Sequence, residues 1–412
     1  MHLADTLETG ELRTGEIEAF LQVMCVAFGM DLEAARPIFY SDPYFELYNR
    51  YAVRLDGKIV SCLTVVDREC WIGDATIRVA GIAGVATLPD YRRRGFARRL
   101  LTETLNVLDS RGLHIAALFP ADASYYRSLG WEPASKPYIS ETALDALGGH
   151  AGREYVRAVE EADIPRIAEI YDRATRGRAM HCRRDSRRWD YLLTFLPRGC
   201  VACAQDGSIG GYALFDVQQA PDEQNDDASG QPPNTVLRIL EIHSESPEYS
   251  AVLRRHMAAQ ERVSGAQFSA PLDVIESNGF PSPTPASNPF MARVVNWPGL
   301  LAALAPNWHD FDREIGLLVV DPLLSRLPRA AIVSGTGSEA RIESLGAPEL
   351  VARCRDYVVG EIGAWSAVIV GHLGAAEACH SGALKASTPP AASIASRLFP
   401  ERAPFLPAAD HF

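Results

Sequence analysis

The sequence has little positive charge for its length and no long apolar run. Lys and Arg number 40 against 52 Asp and Glu, which gives a net charge of -12 over 412 residues. Because binding to nucleic acid phosphates requires a basic face, this balance argues against nucleic acid as the main partner. It is compatible with a cationic substrate. The most apolar stretches, GLLVVDPLL and WSAVIVGHLGAA, have the size of core segments, so we predict no membrane span.

A secretory signal and a disulfide pattern are also missing. The first residues, MHLADTLETGELRTGEIEAF, lack the basic start and apolar centre of a signal peptide. The eight cysteines are scattered, as is typical of intracellular proteins. Cys200 and Cys203 have the spacing of a redox or zinc pair, but the hairpin predicted over CVACAQDGSIGGYALFDV turns them to opposite faces of a sheet. We therefore predict a cytoplasmic protein without a bound metal.

Periodicity and turn signals indicate an alternation of helices and strands in the first part of the chain. GEIEAFLQVMCVAF is spaced as a helix, and two hairpins follow, turned at Asp56-Gly57 and at Gly73-Asp74. A helix that ends at Gly112 precedes the buried strand LHIAALF and the short helix DASYYRSL. These segments predict a mixed sheet covered by helices.

The chain is too long for one hydrophobic core, and its second part repeats this plan. From Tyr155 we predict a helix, a hairpin, a strand and a further helix. The insertion APDEQNDDASGQPPN is acidic and rich in turn residues, which predicts a mobile surface loop. We place domains at 1–150, 151–289 and 290–412.

Five arginines surround one glycine in LPDYRRRGFARRLL, between the predicted strand AGVATL and an amphipathic helix. The stretch 92–97 fits the pattern Arg/Gln-x-x-Gly-x-Gly/Ala. The first amides of a helix have no internal partners, and the helix dipole attracts anions to that end. Gly95 and Ala97 leave the backbone open to a diphosphate, and the arginines add charge-assisted bonds. The loop therefore predicts a pyrophosphate carried by a larger ligand.

This order of elements, followed by YYRSLGW, resembles the GNAT N-acetyltransferases. The resemblance implies that the pyrophosphate belongs to acetyl-CoA and that its pantetheine arm lies along the end of the preceding strand. N-capping explains Asp122 equally well. The cofactor-binding residues that the resemblance implies are Val85, Ala86, Thr87, Arg93, Arg94, Gly95, Phe96, Ala97, Arg98, Ala121 and Asp122.

The corresponding stretch of the second segment, LRILEIHSESPEYSAVLRRHM, has no glycine and no arginine in its loop. Ser246, Pro247 and Glu248 stand there instead, and the carboxylate would repel a pyrophosphate. We therefore predict a second GNAT-like domain that does not bind the cofactor, and one active site per chain.

The whole chain resembles the enhanced intracellular survival (Eis) family of GNAT N-acetyltransferases. The resemblance implies an α+β/α/β fold: tandem GNAT-type mixed-sheet domains followed by a sterol-carrier-protein-like α+β domain, which here ends in ADHF. It also implies transfer of acetyl groups to amines, including those of aminoglycosides, and a homo-hexameric assembly. Polyamines and lysine side chains remain alternative acceptors. The rival interpretation is a non-catalytic lipid or small-molecule carrier that uses the third domain.

Two catalytic residues follow from the resemblance. Tyr126, by its spacing to Gly130 and Trp131, would protonate the departing thiolate, with Tyr125 as the competing tyrosine. The α-carboxylate of Phe412 would receive or orient the proton of the amine, provided that the Pro-rich tail folds back onto the first domain.

Other side chains near these positions have simpler interpretations. His114 is expected to be a satisfied core residue, whereas Asp410 and His411 could shape the amine pocket. We favour direct attack of the amine over an acetyl-cysteine intermediate, because Cys62 and the other early cysteines have no evident activating histidine.

Overall fold

The computed structural model describes residues 6–42, 44–148, 155–195, 198–219, 235–259, 263–287, 289–324, 330–336 and 339–412. Within these ranges the chain forms three β-sheets covered by helices, none of which combines the length and the apolarity that a bilayer crossing requires. The acidic insertion at 220–234, predicted as a surface loop, lies outside the described residues.

The first sheet is built mainly from the N-terminal part of the chain. Its strands are β1 (Leu7–Glu11), β2 (Arg50–Leu55), β3 (Lys58–Ile72), β4 (Ala75–Thr87), β5 (Ile115–Leu118), β6 (Glu132–Pro133), β9 (Ala179–Arg183) and β15 (Met291–Val294). They follow the order β1-β2-β3-β4-β5-β15-β6, and β9 pairs with the distal part of β3. Only the β4–β5 pair is parallel among the described strands of this sheet. Its helices are α1 (Ile17–Phe28), α2 (Leu32–Tyr40), α3 (Phe96–Ser110) and α4 (Ala123–Arg127).

Both predicted hairpins of this sheet are confirmed, and they share one strand. Asp56 and Gly57 turn β2 into β3 with φ values of 50° and 79°, and Gly73 turns β3 into β4 with φ 60°. Strand β3 runs unbroken for 15 residues because no glycine or proline interrupts it.

Strand β4 carries a bulge and then separates from β5. Cys62 faces Ala86 and Thr64 faces Ala83, so two residues of β4, Gly84 and Val85, oppose one residue of β3. Pairing with β5 ends at 81, although β4 continues to 87. The sheet therefore opens a gap between the ends of β4 and β5.

The second sheet contains the hairpin, strand and helices predicted for the middle of the chain. Its strands are β7 (Tyr138–Ala143), β8 (Val156–Ala158), β10 (Arg198–Cys203), β11 (Ile209–Gln219), β12 (Thr235–Ser244), β13 (Gly265–Ala270) and β14 (Thr284–Pro285), in the order β14-β7-β13-β12-β11-β10-β8. Its helices are α5 (Ile164–Thr175), α6 (Ser186–Phe195), α7 (Pro247–Met257) and α8 (Leu272–Ser277). Cys200 and Cys203 contribute to hydrophobic clusters on opposite faces of this sheet, as predicted.

The third sheet lies in the C-terminal part. Its strands are β16 (Glu314–Val320), β17 (Ala330–Gly335), β18 (Ala340–Leu345), β19 (Tyr357–Glu361) and β20 (Leu384–Ala386), in the order β18-β17-β16-β19-β20. Its helices are α9 (Trp297–Leu304), α10 (Ala347–Arg353), α11 (Ile362–Ile369), α12 (Ala375–Ser381) and α13 (Pro389–Leu398). The likeness of this part to a sterol carrier protein remains a prediction.

Three strands lie across the predicted domain boundaries, and one of them, β9, falls within 151–289 but pairs with β3 of the first sheet. Strand β7 precedes residue 150 but joins the second sheet, and β15 follows residue 289 but lies between β5 and β6 of the first. One continuous hydrophobic cluster also joins the first sheet to helices α9 and α11, where Trp297 and Trp365 meet edge to face at 5.4 Å. The division at 150 and 289 remains a prediction, and the first and third segments share a core.

Candidate active site

A cleft of about 460 Å³ opens at the N-terminal end of α3. It brings together nine of the eleven residues predicted to bind the cofactor: Val85, Ala86, Thr87, Arg93, Gly95, Phe96, Ala97, Arg98 and Asp122. The other two, Arg94 and Ala121, do not line it.

The start of α3 leaves its backbone accessible. Gly95 is the N-cap with φ 82°, a left-handed conformation that favours glycine, and a Cβ added there would meet no atom within 4 Å. Phe96 is buried in the core and fixes the first turn against the sheet. Since the first amides of a helix lack internal acceptors, this end can bind an anion.

The arginines of the loop have different surroundings. Arg92 donates to the carbonyl oxygens of Thr87 (3.2 Å) and Ala27 (3.3 Å), which ties the loop to β4 and α1. The guanidinium of Arg94 lies over the rings of Tyr91 and Phe96.

Arg93 and Arg98 are the other two cations that line the cleft, beside Arg92. Both are exposed, and neither forms an ion pair with any residue in the described ranges. Because no carboxylate compensates them, an anionic ligand at the helix end would meet two available positive charges.

The short helix α4 carries two tyrosines, of which only Tyr125 lines the cleft, whereas Tyr126 packs in the hydrophobic core. The hydroxyl of Tyr125 is buried and has no hydrogen-bond partner among the described residues. Tyr126 is 8% exposed and packs edge to face on Trp131 at 6.1 Å, and burial raises the pKa of its hydroxyl to about 12. Asp122 caps the helix by accepting from the backbone N–H groups of Ser124 (2.9 Å) and Tyr125 (3.3 Å). Asp122 therefore caps α4 and also lines the cleft.

The C-terminal tail lies against the gap in the first sheet. The ring of Phe412 covers Gly81, the last residue of β4 that pairs with β5. It also approaches Phe119, which follows β5, with ring centroids 5.9 Å apart. The structure thus places Phe412 where the two strands diverge.

Asp410, which the sequence suggested could shape the amine pocket, is a buried ion-pair partner that lines a cavity of about 320 Å³ together with Arg184 and Arg188. Its side chain is 0% exposed and meets Arg184, which follows β9, with an Nη2–Oδ2 distance of 2.8 Å. The guanidinium of Arg184 also holds Glu241 of β12 through two hydrogen bonds of 2.8 and 2.6 Å. Sequence reasoning missed this cluster, because a lone arginine or glutamate beside a strand is usually exposed.

His411 and His114 have distinct environments. The ring of His411 lies 4.1 Å from that of Phe119, and desolvation by the surrounding protein lowers its pKa to about 4 although the residue as a whole is exposed. His411 also lines a second cleft, of about 610 Å³, between the first two sheets. His114 precedes β5 and is half-buried rather than a core residue, and it accepts a hydrogen bond of 3.0 Å from the backbone N–H of Arg78.

The second sheet has a different helix start at the corresponding place. Helix α7 begins with a proline and carries Glu248 in its first turn. The ring of Tyr249 occupies the space above Gly210, where an added Cβ would overlap it. In the described residues this helix end has neither the glycine nor the arginines of the first, and the loss of cofactor binding there remains a prediction.

Comparison with known proteins supports the resemblance to Eis proteins. Residues 8–134 match the family described as acetyltransferase (GNAT) domain. N-acetyltransferase Eis of Mycobacterium tuberculosis and that of Mycobacterium bovis are each 29% identical to the chain over 158 residues. The match spans 36% of this chain and 39% of the length of those relatives.

Solved structures share the fold of this chain over nearly its whole length. A GCN5-related N-acetyltransferase from Anabaena variabilis has a TM-score of 0.80 at 20% identity and covers 99% of this chain and 100% of its own. One from Kribbella flavida has a TM-score of 0.79 at 19% identity, covering 99% of both chains. Eis1 from Mycobacterium abscessus has a TM-score of 0.70 at 18% identity, with 99% and 100% covered. At these identities the likeness concerns the fold.

Proposed function

We propose that this chain is an acetyl-CoA-dependent N-acetyltransferase with one active site, located in the first sheet. The observation that carries the proposal is the cleft at the start of α3. It combines a free helix end, two uncompensated arginines and the splayed end of β4. These are the groups that a diphosphate joined to an extended, uncharged arm would contact.

The chemistry that we propose is direct attack. The neutral amine adds to the thioester carbonyl carbon, so that a C–N bond forms and the C–S bond breaks. The amine proton passes to the Phe412 α-carboxylate or to water that it orients, and the Tyr126 hydroxyl gives a proton to the departing thiolate. Because burial raises the pKa of Tyr126 to about 12, the hydroxyl stays protonated at any ordinary pH.

For the acceptor we propose a cationic amine: an aminoglycoside, a polyamine or a lysine side chain. The net charge of -12 favours such molecules, since an acidic protein attracts cations at long range. The domain division at 150 and 289, a homo-hexamer and a cytoplasmic location belong to the same proposal, because the Eis resemblance implies them.

A thiol-release assay tests this function. Purified protein, acetyl-CoA and a panel of polyamines, aminoglycosides and lysine peptides should release CoA and yield amides that mass spectrometry identifies. A Gly95→Val variant should lose affinity for CoA, because valine is strained at this positive φ and its side chain would cover the helix end. If no amine is acetylated while a fatty acid binds tightly, the carrier interpretation replaces the enzyme.

A further inference from the structure

The buried carboxylate of Asp410 lies two residues before Phe412. Its hydrogen-bond and ion-pair partners come from the middle part of the chain. Arg184 contacts it with Nε, 3.0 Å from both carboxylate oxygens, and with Nη2 at 2.8 Å. Arg188 of α6 approaches Oδ1 at 3.4 Å, and the hydroxyl of Tyr171 donates to Oδ2 at 3.3 Å. Every one of these partners lies between β8 and α7 in the chain.

Arg184 is itself held rigidly. Its guanidinium lies over the ring of Tyr171 at 4.0 Å and that of Trp189 at 4.7 Å. The Glu241 carboxylate, which accepts from Tyr212 at 2.7 Å, also accepts from Nη1 and Nη2 of the guanidinium. The two rings and the two carboxylates along its edge therefore fix the orientation of the charged group.

Stability alone is a poor explanation for this cluster. Well-packed apolar side chains stabilise a core as well as a buried ion network does, whereas an ion network fixes geometry because its charges must meet their partners. The backbone of the tail is held as well: the Asp410 N–H donates to Pro407 O at 2.8 Å, and Arg188 donates to Ala409 O. The cluster thus fixes the chain direction just before Phe412.

Only one residue separates this fixed point from Phe412. Two residues of chain span about 7 Å at most, so a shift of Asp410 must be transmitted to Phe412. Phe412 also contacts Gly81 and Phe119, neither of which has a side chain that can form a hydrogen bond.

We propose that Arg184 is a positioning residue for the Phe412 carboxylate, acting through Asp410. The second GNAT-like domain then contributes to catalysis in the first by holding the tail in the gap between β4 and β5. This inference rests on the proposed function, in which the Phe412 carboxylate acts on the amine.

Carboxypeptidase A, which removes C-terminal aromatic residues, tests the inference on the folded 412-residue chain. In Asp410→Asn, which keeps the shape but loses the charge, we expect the release of Phe412 to become about tenfold faster or more, because local opening exposes the tail. The kcat for acetyl transfer should fall by about 100-fold, the usual effect of a misplaced catalytic group. The KM for acetyl-CoA should not change, because none of the cluster lines the α3 cleft.

Asp163→Asn is the matched control. Asp163 is also a buried carboxylate in the second sheet's part of the chain, and it receives two hydrogen bonds from Arg157. This variant should lower Tm but leave Phe412 release and kcat as in the wild type. Arg188→Gln, which removes the 3.4 Å contact with Asp410 and the hydrogen bond to Ala409 O, repeats the test if Asp410→Asn does not fold.

Three results would overturn the inference: a folded variant with a protected tail and normal kcat, a released tail with normal kcat, or a lost kcat with a protected tail. The digestion needs no turnover. If the wild type acetylates no amine, the proposed function fails, whereas accelerated release in Asp410→Asn would still establish the anchor and leave it without a catalytic role.

Discussion

The ring of Phe412 lies directly on Gly81, at the residue where β4 stops pairing with β5. A Cβ at Gly81 would overlap this ring, so the seat for the tail exists only because the strand has a glycine there. The gap between the strands, the glycine and the tail therefore form one structural unit.

Gly81→Ala should displace Phe412 from its seat. We expect kcat to fall by about 100-fold, since the proposed base loses its position, while the dissociation constant of acetyl-CoA stays unchanged. Gly10→Ala on β1 is the control, because a Cβ at Gly10 meets no atom within 4 Å. Steady-state kinetics and calorimetric CoA titrations measure both quantities. Wild-type kcat in Gly81→Ala would contradict a role for the seated tail.

The uncompensated arginines of the cleft should dominate cofactor affinity. Arg93→Gln and Arg98→Gln should each weaken CoA binding by about tenfold or more, the value of one charge-assisted hydrogen bond. Arg99→Gln is the control on the same helix, because Arg99 already pairs with Glu103 at 2.8 Å. Titration calorimetry at low and high salt measures the effect, which should shrink as salt rises. Equal losses in all three variants would point to a non-specific charge effect.

The two neighbouring tyrosines should behave differently. Tyr126→Phe removes the proposed acid and should lower kcat by about 100-fold. Tyr125→Phe removes a buried hydroxyl without a partner, so it should leave kcat intact and should not lower Tm. Kinetics and thermal unfolding of both variants check this. A reversed result, with the loss of kcat in Tyr125→Phe, would move the catalytic role to Tyr125.

The buried His181 and the half-buried His243 should make folding sensitive to acid. Burial lowers the pKa of His181 to about 3 and that of His243 to about 4. The unfolded chain, with histidine pKa values near 6.5, takes up protons that the folded chain does not, so stability is lost as pH falls from about 6.5 towards 4. Each contributes up to about 1.4 kcal/mol per pH unit to the free energy of unfolding.

Urea unfolding between pH 5 and 7 measures this slope. His243→Gln should reduce it by one histidine's share, whereas His309→Gln, at an exposed position, should leave it unchanged. Identical slopes in wild type and His243→Gln would show that carboxylates alone cause the loss.

Local patterns in the sequence predicted most of the first sheet. The Asp56-Gly57 turn and the glycine at the start of α3 require backbone conformations with positive φ, and those requirements are visible in the residues themselves. Strand β15 could not be predicted to enter this sheet, because its partners lie more than 150 residues away and only burial selects them. Strand β9 and helix α6 were not predicted, for a different reason. Short segments between turns give only a weak hydrophobic periodicity.

The site was predictable where it depends on one continuous stretch. The loop at 92–97 contains the helix start and the arginines in one continuous stretch of sequence. Nine of the eleven predicted residues do line one cleft. Arg92 contacts Ala27 and Arg94 contacts Tyr91 only in the folded chain, so the sequence alone did not predict these contacts. The ion pair between Arg184 and Asp410 joins residues 226 positions apart, so no local sequence pattern predicts it.

The position of β15 also determines when the catalytic sheet can be completed during synthesis. A ribosome that has made the first 150 residues has released a sheet whose β5 edge still shows unpaired amides and carbonyls. That edge is closed only after residues 291–294 have been synthesised and have paired with β5. Until then, the open edge can pair with another chain.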